Sequence, residues 1–129
     1  MILVVDPEDK NHLQFILLDK KGNKIVSYKG NSKKPLEELN LFLKKNNLCP
    51  SDIKALFIFE KVGSFTALRN LAAIANVWQN TYKLKVFGIT KDQLKESSLE
   101  QVVLKQIKKT SKKIFIPLYS APPNITLKK

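Results

Sequence analysis

The stretch from Ile53 to Ile89 constrains this chain more than any other. A short apolar run, Ala55-Leu56-Phe57-Ile58-Phe59, leads through Gly63 into a long alanine-rich segment and then a second apolar run ending at Gly88-Ile89. Strand, turn, helix and strand make a βαβ unit, the crossover that two neighbouring parallel strands require. Gly63 supplies the backbone freedom of a sharp strand-to-helix reversal, and Ser64 can accept a hydrogen bond from an orphan amide at the helix start. The helix is therefore expected to begin near Phe65. That amide-rich terminus could also hold an anion, but with one glycine and no G-x-x-x-x-G-K-[ST] loop, ordinary capping is the plainer reading.

On a helical wheel of residues 65 to 80, Leu68, Leu71, Ala72, Ala75 and Trp78 fall together. Ala67, Ile74 and Val77 widen the apolar arc beyond what one sheet would cover, while Arg69, Asn76 and Asn80 mark the wet side. Small residues at Ala67, Ala72, Ala73 and Ala75 allow close approach of a second layer. The extra face should be covered by another part of the chain or by another protein.

These residues carry a family resemblance. Asp52-Ile53-Lys54-Ala55-Leu56, Gly63-Ser64-Phe65-Thr66-Ala67-Leu68-Arg69, Ala72, Ala75 and Lys85-Val86-Phe87-Gly88-Ile89-Thr90 are similar to the signature of the TsaB (YeaZ) family. That pattern runs D-I-x-x-[IL], G-P-G-S-F-T-G-[LV]-R, a helix with A-x-G, and a closing strand before G-[IV]-[ST]. Val62 replaces its proline, Ala67 its second glycine, and Leu71 a common small residue; Asp6-Pro7-Glu8 stands where the superfamily usually has D-T-[AS]. The resemblance implies an α/β, ribonuclease-H-like single lobe of the actin and sugar-kinase superfamily. It also implies an inactive paralogue of TsaD, which acts in the bacterial machinery that places threonylcarbamoyl on the adenosine next to the tRNA anticodon.

The rest of the chain is read around that unit. At 129 residues it is one domain with room for a real core. No apolar run approaches a membrane span, and Met1-Ile2-Leu3-Val4-Val5 before Asp6 lacks the basic start of a signal peptide, so a cytoplasmic location is expected. One cysteine, Cys49, excludes an intramolecular disulfide and a cysteine-rich metal site. Ile2–Val5 reads as a strand buried on both faces; His12–Asp19 and Lys24–Tyr28 read as strands joined by Lys21-Gly22-Asn23. This three-stranded antiparallel meander, followed by helix, strand, helix and strand, matches the order of the ribonuclease-H-like core.

The first helix should start at Pro35 and end at Asn46-Asn47, with Leu36, Leu39, Phe42 and Leu43 toward the sheet and Leu41 pointing away. The family pairs with TsaD by packing two helices from each protein, so the resemblance implies a partner surface at Leu41, Ala67, Asn70, Ala73, Ile74 and Val77. The bland alternative for Leu41 is a lone exposed leucine. A homodimer through the same helices, and a second contact with a TsaE-like ATPase, are further implications. Residues 1–90 would form the TsaB-like core, and residues 91–129 a lysine-rich remnant of the family's second lobe within the same domain. In that remnant Ser97 and Glu100 suggest a capping box for a helix to about Lys109, and Ile114–Tyr119 reads as a last strand. Ile116-Pro117-Leu118-Tyr119 with Pro122-Pro123 is similar to the family's P-[VL]-Y-L-R-P-P ending.

The formal net charge of +12 invites a nucleic-acid reading, yet arginine occurs once, and coding bias explains a lysine excess as readily as selection for phosphate contacts. From Gln101 onward there are no acidic residues, and Lys105, Lys108, Lys109, Lys112 and Lys113 are candidates for touching tRNA or an acidic partner. A metal-dependent nuclease or resolvase of this fold would need carboxylates converging on two metal ions; Asp6, Glu37 or Glu38, and Glu60 fall in suitable topological places, with no credible fourth. His12 begins a strand, and sequence spacing singles out no base role for it, so it reads as a surface residue. The reading is a non-catalytic scaffold with no cofactor or metal of its own, ATP and metal residing on the TsaD-like partner.

Overall fold

Strand β1 (Ile2–Asp6) is buried along its whole length, and so is β4 (Ala55–Phe59) beside it. An unbroken apolar run is stable only where both faces of a sheet are covered and strands lie on both sides. The computed structural model, which describes residues 1–7, 11–31, 33–60, 65–95 and 97–107, meets both conditions. Its five strands lie in the order β3-β2-β1-β4-β5, where β2 is His12–Leu18, β3 is Lys24–Asn31 and β5 is Lys85–Ile89. The pairs β1–β2 and β2–β3 are antiparallel; β1–β4 and β4–β5 are parallel. This is the mixed α/β sheet expected of a ribonuclease-H-like lobe.

Alternate residues of each central strand feed two cores. Leu3, Val5, Phe15, Leu56 and Ile58 face α1 (Pro35–Lys45) and α2 (Phe65–Tyr82). Ile2, Val4, Leu18, Phe57, Phe59, Phe87 and Ile89 face the other way, onto Val102 and Val103 of α3 (Leu99–Ile107). On the α1 side Phe42 stacks between Phe15 and Tyr28, with ring centroids 5.5 and 5.9 Å away.

Local chemistry explains the element boundaries. Gly22 has φ +86°, and the Asp19 carboxylate accepts from the Lys21 and Asn23 amides at 2.8 and 2.9 Å, which closes the β2–β3 turn. Pro35 opens α1 at its first turn, and Asn47 at φ +56° closes it while the Leu48 amide donates to the Leu43 carbonyl at 2.9 Å. Lys83, at φ +58°, ends α2 in the same left-handed conformation. The capping box of α3 lies one residue later than expected: Ser98 Oγ accepts from the Gln101 amide, and Gln101 Oε1 accepts from the Ser98 amide, both at 3.3 Å. Gln101 serves in the role assigned to Glu100, because an amide side chain reaches back as well as a carboxylate does. The expected last strand, Ile114–Tyr119, lies outside the described residues.

Candidate functional site

The two helices on one side of the sheet form an apolar groove. α2 presents Leu68, Leu71, Ala75 and Trp78 to the core, each at most 6% exposed, as the helical spacing requires. On its outer flank Ala73 is exposed, Ile74 half-buried and Val77 61% exposed. With Leu36 from the first turn of α1 and the rim of Trp78, these side chains line a groove of about 220 Å³. The helix therefore does carry apolar surface that α1, α2 and the sheet leave uncovered. Since α3 packs on the opposite sheet face, it does not reach this groove.

Three of the expected partner residues line the groove, and three do not. Ala73, Ile74 and Val77 do; Asn70 is exposed one turn before Ala73 and Ile74 but is not part of the lining. Ala67 is only 3% exposed and belongs to the core, so it offers no surface: its small side chain serves the approach of α2 to the sheet instead. Leu41 is 41% exposed, but five residues separate it from Leu36, about 140° around the helix, which turns it away from the groove. Leu36, expected on the sheet side, is 46% exposed and forms the groove wall contributed by α1. Pro35 is buried and takes the sheet-facing place at the start of α1. The signal for Leu36 was available in its offset from Leu39 and Phe42, which spacing alone does not assign to core or rim.

In the motif turn, Thr66 and Arg69 are exposed on the first turn of α2, which Phe65 opens as expected; Gly63 and Ser64 lie outside the described residues. Of the lysines set aside for tRNA, Lys105 is exposed on α3 and borders a polar pocket of about 420 Å³ with Asp92, Gln93, Ser97, Gln101 and Gln106. Gln93 turns its Oε1 back to the Thr90 amide at 2.8 Å, a local loop contact. Lys108, Lys109, Lys112 and Lys113 lie outside the described residues.

The carboxylates divide into two places. Asp6 and Glu60, 6% and 4% exposed, sit at the carboxyl ends of β1 and β4. Lys91 reaches Asp6 at 3.6 Å while lying over the Phe59 ring, and the Glu60 carboxylate packs against Gly88 where a side chain would otherwise stand. Glu38 is held elsewhere: its Oε2 accepts from the Tyr28 hydroxyl and the Asn31 amide, both at 3.1 Å, at the β3 edge two strands away from β1. That hydrogen bond, with burial adding to it, raises the Tyr28 phenol above its ordinary pKa. Glu37 points to solvent and pairs with Lys34 at 4.0 Å. Neither Glu37 nor Glu38 joins Asp6 and Glu60, and among the described residues no three potential ligands converge on a metal position. No helix among them is long and apolar enough to cross a membrane.

No protein-family model matches the chain, and no curated protein matches it. Solved structures do. YeaZ from Pseudomonas aeruginosa superposes with a TM-score of 0.57 at 16% identity, over 69% of this chain and 44% of that one. A second structure, described as an uncharacterized protein with similarity to peptidase YeaZ from Pseudomonas aeruginosa, gives 0.59 at 13% identity, over 75% of this chain and 48% of that one. At such identities the likeness establishes the fold, and the matched part spans less than half of either structure.

Proposed function

We propose that this chain, a lobe with the YeaZ fold, is a non-catalytic scaffold subunit: it binds a TsaD-like enzyme through the α1/α2 groove and supports threonylcarbamoyl transfer to tRNA in the cytoplasm. The observation that carries this reading is the groove itself. Among the described residues, Leu36, Ala73, Ile74 and Val77 leave apolar surface open beside a sheet whose two faces already have helices on them. The groove is formed by two neighbouring helices, the arrangement the family resemblance implies for pairing. ATP and metal then belong to the partner, and a TsaE-like ATPase makes a second contact with the pair. A nuclease role is not favoured, since Glu38 is tied to Tyr28 and Asn31, away from Asp6 and Glu60.

The test uses Ala73→Asp and Ile74→Glu. Ala73 is exposed, so Ala73→Asp should retain helicity and melting while a charge in the joint excludes the partner; Ile74 is half-buried against the core, so Ile74→Glu should melt lower and is read only beside Ala73→Asp. Gel filtration of a mixture with a TsaD-like protein should show the complex for the unmodified chain and separate peaks for both variants. An unchanged complex removes the assignment; a concentration-dependent dimer of this chain alone, lost in both variants, replaces the enzyme with a second copy.

A further inference from the structure

The charge of this protein is not spread evenly over its ends. The strand registers place Lys24, Ile2, Ala55 and Lys85 in one row across the sheet, with Lys54 one residue outside it. Four strand spacings separate Lys24 from Lys85, about 19 Å. The Lys54 amide donates to the Met1 carbonyl at 2.9 Å and the Lys85 amide to the Lys54 carbonyl at 3.0 Å, so the backbone that carries these lysines is fixed along the rim by the sheet itself. The terminal ammonium of Met1 stands among them, its pKa lowered chiefly by burial and then by Lys54, against Asp52 and Asp19, which raise it. Lys44 at the end of α1 and Lys83 after α2 stand at the same end of the molecule, as does Lys45, whose ammonium lies over the Tyr28 ring at 5.2 Å, and all six lysines are exposed.

Helix dipoles account for the lysines at the ends of α1 and α2, and Lys85 Nζ donates to the Ile107 carbonyl at the end of α3 at 3.5 Å, but no helix end accounts for Lys24, on β3, or Lys54, just before β4. Two acids at this end are already engaged: Asp19 accepts from the turn amides, and Asp52 Oδ2 accepts from the Cys49 amide at 2.8 Å. The ion pairs Lys34–Glu37 and Lys91–Asp6 lie at the opposite end. An aromatic ring accompanies the cations. Tyr82 closes α2 39% exposed, held edge-on by Trp78 at 5.9 Å.

We infer that this rim binds single-stranded nucleic acid, the row of lysines tracking the phosphodiester backbone and Tyr82 stacking on one base. A row of lysines spaced by a rigid sheet edge, with an exposed, oriented aromatic ring, is the chemistry that such a strand requires. The lysine row stands apart from the groove lining and from the carboxy-terminal lysines, and Tyr82 adjoins the groove only through Trp78.

The test is binding of the full chain to a fluorescein-labelled oligouridylate across a salt series. The triple variant Lys24→Gln, Lys54→Gln and Lys85→Gln should bind at least tenfold more weakly, and its salt slope should fall by about 2, at about 0.7 per phosphate released. Removing the same charge at the other end, with Lys29→Gln, Lys33→Gln and Lys34→Gln, should change affinity less than threefold. Tyr82→Ala should weaken binding while leaving the slope unchanged. The three single rim variants carry the same comparison should the triple variant not fold. Equal loss from both triples would mean net charge alone acts and would overturn the inference. So would absence of binding by the unmodified chain, or binding to anionic phospholipid vesicles without binding to the oligonucleotide.

Discussion

Replacing Phe42 with alanine tests how the groove is held in place. Phe42 is 2% exposed and stacks on Phe15 and Tyr28, so its removal opens a void between α1 and the β2–β3 hairpin. Truncating a buried phenylalanine costs about 3–5 kcal/mol, and two lost ring pairs at about 0.5–1.5 kcal/mol each place this site at the upper end. With an unfolding entropy of roughly 2.1 cal/mol/K per residue, a 129-residue domain loses about 15 °C in Tm for 4 kcal/mol. The assay is thermal and urea unfolding followed by circular dichroism, beside Leu41→Ala as the control. Leu41 shares the helix but is 41% exposed, and its truncation should cost less than about 1 kcal/mol. Since α1 carries Leu36, Phe42→Ala should also weaken partner binding, while Leu41→Ala should not. A Phe42→Ala variant within 1 kcal/mol of the Leu41→Ala control would refute the packing argument.

Two further outcomes follow from hydrogen bonds at the hairpin. In Gly30→Ala the new methyl would collide with the Glu38 carboxylate and push it off Tyr28 and Asn31, for a net loss of about 1 kcal/mol after the gain in chain stiffness. Spectrophotometric titration should then show the Tyr28 phenol ionising at lower pH than in the unmodified protein; an unchanged titration would mean that Glu38 never held it. The Asn23 and Lys21 amides hold the Asp19 carboxyl below its ordinary pKa, so its stabilising effect is present above the usual carboxylate range and is lost as pH falls through the depressed value. Asp19→Ala should therefore lower stability at neutral pH and by less in acid, and urea midpoints that differ equally at both pH values would contradict this.

Much of the fold was legible because its signals were local. The bounds of β4 follow from an apolar run between polar flanks, and α1 begins at a proline; the end of α2 left no such mark, since Lys83 turns left-handed without being a glycine. The length of β3 was underestimated, since Lys29, Gly30 and Asn31 carry no strand propensity and are held in the sheet by pairing with β2. The 3-10 turns at Pro50–Asp52 and Lys91–Lys95 left no periodic trace. On α2 the wheel separated core from outer flank correctly for Leu71 and Val77 but misplaced Ala67, because where the apolar arc ends depends on how α2 tilts on the sheet. For the same reason Leu36 went to the core: the crossing of α1 and α2, a property of two elements together, decides which of its sides is dry. Glu38 was read as a metal candidate from topology, whereas its tie to Tyr28 depends on a cross-element distance that no spacing records.

Trp78 is the only tryptophan, and it has a double position, 6% exposed in the core and yet part of the groove wall. Whatever settles beside Leu36 and Val77 must displace water from the edge of that indole. The protein thus carries a built-in optical gauge of occupancy: its ultraviolet emission should shift as the groove fills, without any label.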